Sequence, residues 1–262
     1  MTADRISGVI AQPELGRHVL LNGDSSVVVF QPSFEMVLTS PPYFHPRQTS
    51  QIHGSASPFK DLDAYADWVA RILQRTHSAL RPGRAVCFVK TDVKYKGSLL
   101  PVGFEIARAS ARLGMPIAAH WIWERMGFFS PYAPSLANIF VLGNTDRKLL
   151  QSPGLFKTRD TKDRSHSSSF TPDLFELLIR QLTVEDDIVL DPFVGVGATT
   201  LAASRTGRWS VGVELSPTQF EKAAITLGNI CGLTLRGKFR QDDQLRDGRT
   251  NGNECIATER HG

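Results

Sequence analysis

Residues 187–214 constrain the fold more than any other stretch. Residues 187–190 (DIVL) read as a short strand. Residues 191–200 (DPFVGVGATT) then place Gly195 and Gly197 at a turn, where glycine lets the backbone bend sharply and approach a ligand closely. A helix over 199–205 follows, closed by Gly207, and a second strand over 209–213 (WSVGV) delivers Glu214 at its end. Strand, glycine turn, helix and strand make a βαβ unit, so the sheet is parallel here. The helix start offers free N–H groups and the positive end of a dipole. A carboxylate at the next strand end can accept from two ribose hydroxyls. Two readings stand, a nucleoside cofactor site and a purely structural βαβ unit. A dinucleotide fingerprint needs a third glycine where Thr200 stands, and Asp191-Pro192-Phe193 is foreign to it, so a single-nucleoside cofactor fits better than NAD.

The same alternation runs through the rest of the chain. Strands are expected at 18–22, 34–38, 85–90, 116–123 and 138–142, and helices at 61–80, 100–113, 173–182 and from Ser216-Pro217 to about 227. Leu62, Tyr65, Ala66, Val69, Ile72, Leu73 and Leu80 recur at helical spacing, and residues 81–84 (RPGR) are expected to end that helix. Gly114 is the expected C-cap of the next one. The fold class is α/β, with a mostly parallel twisted sheet flanked by helices. With 262 residues and 41% hydrophobic content, the chain can form one large domain, taken here as 1–236. Residues 91–98 read as a polar loop, 124–134 as an aromatic loop, and 143–169 as a polar, basic surface insertion. The charged tail, 237–262, is expected to be partly disordered.

A second unusual stretch is Thr39-Ser40-Pro41-Pro42-Tyr43-Phe44, directly after the strand at 34–38. Two prolines fix φ and remove two backbone donors, so neither a central strand nor a regular helix can continue. What remains is a stiff corner whose carbonyls are free to accept, flanked by a hydroxyl and an aromatic face. It suits a planar ring bearing an amine, and equally a proline turn capping a strand over a buried Tyr. Asp24, in the turn Asn22-Gly23-Asp24-Ser25 after the first strand, is either a ligand contact or an Asx-turn residue, and Val27 to Phe30 are expected to start a short helix or a strand. Residues 45–57 form a polar loop beside the corner, with His45, Arg47 and His53 as candidate phosphate contacts.

Taken together, Thr39-Ser40-Pro41-Pro42-Tyr43 and Asp191-Pro192-Phe193-x-Gly195-x-Gly197 resemble the beta class of DNA amino-methyltransferases. In that class the base motif precedes the cofactor motif. The resemblance extends over roughly residues 18–228. It implies a Rossmann-like methyltransferase fold in circularly permuted motif order, and S-adenosyl-L-methionine as cofactor. It implies that Asp191, Phe193, Gly195 and Gly197 hold the methionine end and that Glu214 binds the ribose, with Phe170, Thr171 and Thr199 as further cofactor contacts; Asp24 is added to these by its strand-end position. The residue after the second glycine is commonly Thr in the family, whereas here it is Ala198 followed by Thr199. The expected catalytic residues are Ser40, Pro41, Pro42 and Tyr43. Ser40 Oγ and the Pro41 carbonyl would accept from the target amine, and Tyr43 would stack on a base flipped out of duplex DNA. Ser at the head of the tetrapeptide mostly goes with N4-cytosine, and Asp or Asn with N6-adenine. A cognate restriction endonuclease is a possible partner, and the segment 143–169 is the candidate target-recognition region. A non-catalytic DNA-binding module of this fold, a nicotinamide oxidoreductase, and methylation of RNA or protein are the rival readings.

Charge and cysteine usage agree with this class without demanding it. Net charge is +4 with pI ≈ 9.1, compatible with nucleic acid. Cys87, Cys231 and Cys255 are widely spaced and odd in number, so no zinc site or disulfide framework is expected and a reducing cytoplasm is the expected setting. No secretory h-region follows the first residues, and no run approaches the roughly 18 apolar residues of a membrane helix.

Overall fold

The computed structural model describes residues 17–44, 59–126, 135–146, 149, 154–159, 172–228 and 233–236. In chain order the elements are β1 (His18–Asn22), β2 (Phe34–Thr39), α1 (Leu62–His77), β3 (Leu80–Lys90), β4 (Val93–Tyr95), β5 (Ser98–Leu100), α2 (Val102–Arg112), β6 (Ile117–Met126), β7 (Leu136–Leu142), β8 (Leu155–Arg159), α3 (Pro172–Leu182), β9 (Ile188–Asp191), α4 (Ala198–Arg205), β10 (Trp209–Glu214), α5 (Pro217–Leu227) and β11 (Leu233–Arg236). Nine strands form one sheet in the order β11-β1-β10-β9-β2-β3-β7-β6-β8. All run the same way except β7, which is antiparallel to both β3 and β6. The early strand β2 lies beside the late strand β9, with Met36 opposite Val189 and Val37 opposite Leu190.

Alternation along the central strands explains the layering. Val86 and Phe88 of β3 face α1 and α2 in a core with Tyr65, Val69, Ile106 and Phe140. Cys87 and Val89 face the other way, packing with Leu174, Leu178 and Ala202 of α3 and α4. Leu20 and Val194 meet Phe220 and Leu227 of α5. A sheet buried on both faces reads as near-continuous apolar runs, as β2 and β3 do. Local signals set the helix starts. Asp61 accepts from the N–H of Ala64 (2.8 Å), and Ser216 caps α5 ahead of Pro217.

Four expectations change. Residues 81–84 do not end the first helix, which stops at His77; they belong to β3, whose Leu80 already pairs with Phe34. Pro82 and Gly83 (φ +73°) are tolerated there beside a register shift in β2. Within 91–98, β4 and β5 form a hairpin whose tip, Lys96 and Gly97, has φ of +49° and +81°, as a two-residue primed turn requires. The segment 143–169 is not wholly a surface insertion: β8 extends the main sheet, Trp123 Nε1 donates to Thr158 (2.9 Å), and Phe156 packs on Trp121. Val27 to Phe30 is neither helix nor strand but the exit of a turn in which the carbonyl of Asp24 accepts from Val27 and Val28. His45, Arg47, His53, Phe170, Thr171 and the tail 237–262 lie outside the described residues. No helix among the described residues is long and apolar enough to cross a membrane.

Candidate active site

The C-terminal ends of β2, β9 and β10 lie side by side, which brings Thr39, Asp191 and Glu214 to one edge of the sheet. Thr39 Oγ1 donates to Asp191 Oδ1 at 2.5 Å, so the first residue of the proline corner is bonded to the first residue of the glycine turn. Thr199 Oγ1 donates to Oδ2 of the same carboxylate at 2.5 Å, and the Phe193 N–H to Oδ1 at 2.9 Å. Asp191 is only 3% exposed. Burial pushes its carboxyl up to about 6, against the downward pull of the three hydrogen bonds. Its carboxylate is therefore an internal clasp.

The glycine turn follows. Gly195 has φ +55° and Gly197 φ +92°. A β-carbon at 197 would stand 2.5 Å from Leu227 Cδ1, whereas one at 195 would meet nothing closer than the Phe193 carbonyl at 3.9 Å. The turn is thus closed underneath at 197 and open above 195. The Gly195 N–H donates to Glu214 Oε2 (3.0 Å) and the Ser216 N–H to Oε1 (2.8 Å). Burial raises the Glu214 pKa, opposed by these backbone bonds. Each carboxylate oxygen keeps further lone pairs, so two ribose hydroxyls still have acceptors. Asp24 adopts the Asx-turn role, its Oδ1 accepting from the Ser26 N–H at 2.8 Å. Its neighbour Ser25 donates to the Pro192 carbonyl (2.6 Å), so this turn also abuts the site. Open space over Gly195, a neighbouring carboxylate and the aromatic Phe193, which packs on Trp68 at 5.5 Å, fit a nucleoside bearing an amino-acid tail.

The proline corner is held from behind. Lys90, last residue of β3 and 1% exposed, donates to the Pro41 carbonyl at 2.8 Å and the Pro42 carbonyl at 2.6 Å. Tyr65 Oη donates to the Pro42 carbonyl at 2.5 Å. The ammonium lies 4.8 Å from the Tyr43 ring centroid and 5.6 Å from that of Tyr65. Phe44 is buried against Tyr65, at 5.3 Å between centroids. Ser40 is half-buried, and its hydroxyl makes no hydrogen bond among the described residues. The Tyr43 hydroxyl is pushed up by burial and pulled back by the Arg125 charge.

The structure therefore gathers Asp24, Ser40, Pro41, Pro42, Tyr43, Asp191, Phe193, Gly195, Gly197, Thr199 and Glu214 at one edge. Three differ from expectation in their present bonding: the Asp191 carboxylate, expected on the methionine end, is buried and taken up by Thr39, Thr199 and the Phe193 N–H. The Thr199 hydroxyl is committed to Asp191, and the Pro41 carbonyl already accepts from Lys90, leaving one lone pair for another donor. Sequence reasoning missed Lys90, Tyr65 and Trp68. Lys90 did leave a trace, as the one charge closing the apolar run 85–90 (AVCFVK). Tyr65 and Trp68 look like ordinary members of a helix with an apolar face.

Residues 136–225 match the DNA methylase family model of the N6/N4 type. The chain is 23% identical over 247 residues to the type II methyltransferase M.BglII of Bacillus subtilis, covering 78% of this chain and 67% of that relative. Among solved structures, it is similar to a proposed DNA modification methylase of Thermus thermophilus, with TM-score 0.66, 25% identity, 84% of this chain covered and 100% of the other. It also shares its fold with the cytosine-N4-specific PvuII DNA methyltransferase, at TM-score 0.66 and 20% identity, over 79% of this chain and 85% of the other.

Proposed function

We infer that this chain is a DNA amino-methyltransferase of the beta class, with S-adenosyl-L-methionine as methyl donor, and that it acts on the exocyclic N4 of cytosine in duplex DNA. The single observation that carries this reading is the Thr39–Asp191 hydrogen bond. It fastens a corner built to accept from an amine to a turn built to seat a nucleoside, at adjacent strand ends.

An exocyclic aromatic amine is a poor nucleophile because its lone pair is delocalised into the ring. In our reading, Ser40 Oγ and the Pro41 carbonyl accept its two N–H groups, drawing the nitrogen toward a tetrahedral shape. Tyr43 stacks on the flipped ring, a contact worth on the order of 1–3 kcal/mol. Glu214 holds the ribose, while Phe193 and the open face of Gly195 take the methionine end. When bound, the cofactor would supply an electrophilic sulfonium methyl for transfer to that nitrogen, with the neutral thioether as leaving group. The amine proton leaves afterward to solvent, so the residues contribute positioning and electrostatics rather than a strong base. Ser40 at the head of the tetrapeptide supports cytosine over adenine. A cognate restriction endonuclease is the partner this class suggests.

The test is methylome sequencing of DNA from cells expressing wild type and Ser40→Ala. A sequence motif carrying N4-methylcytosine should appear with wild type and fall by roughly 100-fold in the variant, the scale of losing one aligned polar contact to the reacting group. N6-methyladenine in its place would keep the mechanism and change the base. Unmodified DNA from a folded, cofactor-binding wild type would overturn the reading.

A further inference from the structure

Lys90 is a buried cation site without an acid. No carboxylate pairs with it among the described residues, where its ammonium donates to two proline carbonyls. Tyr43 of the corner and Tyr65 of α1 present rings, and Asn138 of β7 lies opposite in register. Gly103 of α2 packs near its Cβ. The nearby acid, Asp92, is engaged by Asn138 Nδ2 at 3.2 Å, and His120 of β6 bonds the same asparagine. Arg125, also of β6, acts on Tyr43. An unpaired buried ammonium is costly, and a methionine would fill the same volume without that cost. Prolines supply the compensating reason: having no N–H, the corner cannot be pinned through its donors, so only a donor from outside can fix its carbonyls.

We propose that Lys90 is a positioning residue for methyl transfer, setting the direction of the Pro41 carbonyl, and that the transfer runs fastest when its side chain is a neutral amine. This rests on the reading that the corner receives a target amine. A neutral amine still has two N–H groups, enough for Pro41 and Pro42. An ammonium on the same carbonyl would draw electron density from the acceptor. It would also place a positive charge on the far side of the shared carbonyl from a nitrogen that becomes cationic as the N–C bond forms. Burial lowers Lys90 to about 7, so both forms are accessible near neutrality.

Two measurements test this. The first needs no turnover: in a 13C-lysine NMR titration of the full chain, the Lys90 Cε signal, assigned by its loss in Lys90→Met, should titrate near 7. A Lys90 that titrates near 10 overturns the proposal. The second is single-turnover methyl transfer at pH 6 to 9. Wild-type rate should rise through an inflection near 7. Lys90→Arg keeps the donors but cannot lose its charge, so it should run about tenfold slower at pH 8 with no inflection. Lys90→Met should lose roughly 100-fold in rate while its cofactor affinity, read by calorimetry, stays within threefold of wild type. Retention of the wild-type rate and inflection by Lys90→Arg overturns the proposal, as does a flat wild-type profile. No transfer by wild type at any pH overturns instead the functional reading on which it stands.

Discussion

The two turns of the site are mirror images in hydrogen-bonding terms. The glycine turn at 193–197 presents N–H groups, and acids hold it: Asp191 accepts from Phe193 and Glu214 from Gly195. The proline corner at 40–43 presents carbonyls, and a base with a phenol holds it: Lys90 and Tyr65 donate to Pro41 and Pro42. The difference follows from which backbone group each turn has free. Glycine keeps its N–H and offers it to carboxylates, whereas proline has none and needs donors from outside. The opposite polarity also gives opposite responses to pH. Asp191 has a folded pKa raised from its ordinary 3.8 to about 6, so its contribution to stability is present below 3.8 and is lost as pH rises through about 6. Lys90 has a folded pKa lowered from 10.5 to about 7, so its contribution is present above 10.5 and is lost as pH falls through about 7. Near neutrality both burials weigh against the fold.

Breaking the acid side should have the largest effect, because Asp191 serves both turns. Asp191→Ala would leave the hydroxyls of Thr39 and Thr199 and the Phe193 N–H without their acceptor. We expect a loss of about 3 kcal/mol or more in chemical denaturation, with no measurable methyl transfer. An undiminished unfolding midpoint would show that the clasp does not hold the turns together. Next comes Glu214→Ala, which touches only the cofactor side. Cofactor affinity, measured by calorimetry, should weaken roughly 10–100-fold, since about two charge-assisted hydrogen bonds are removed. Transfer at saturating cofactor should stay near wild type, and a collapse there instead would mean that Glu214 also shapes the proline corner. The smallest effect belongs to Tyr65→Phe. Lys90 still donates to the Pro42 carbonyl in that variant, so thermal unfolding should report a loss of only ~1 kcal/mol. A loss as large as that of Asp191→Ala would make Tyr65, not Lys90, the main support of the corner.

Much of this edge was legible in the sequence. The βαβ unit at 187–214 announced itself through Gly195, Gly197 and the apolar strands around them, because backbone conformation and strand burial are written in single residues. The corner was legible for the same reason, since two prolines leave few options. What the sequence concealed were partnerships across the fold. Thr39 and Asp191 are bonded although 152 positions apart, and neither residue type names its partner. Tyr65 sits among Leu62, Ala66 and Val69, where its ring satisfies the apolar pattern and its hydroxyl leaves no trace in it. Strand β8 was missed because Leu155 and Phe156 are its only apolar residues and its edge position relaxes the demand for more. Residues 91–98 read as a loop because Lys96 occupies a turn position where Asn, Asp or Gly is the usual signal.

The placement of β9 between β2 and β10 bears on how the molecule is made. During synthesis at about 5–20 residues per second, the corner and Lys90 emerge roughly 5–30 seconds before the strand that completes their sheet. Until then β2 has a partner only on its β3 side, and its other edge is an apolar row of unpaired backbone groups, the kind that recruits foreign strands. The last strand to pair there slots into the middle of the sheet rather than onto its rim. The edge that gathers Thr39, Asp191 and Glu214 is therefore the seam of the sheet that closes last.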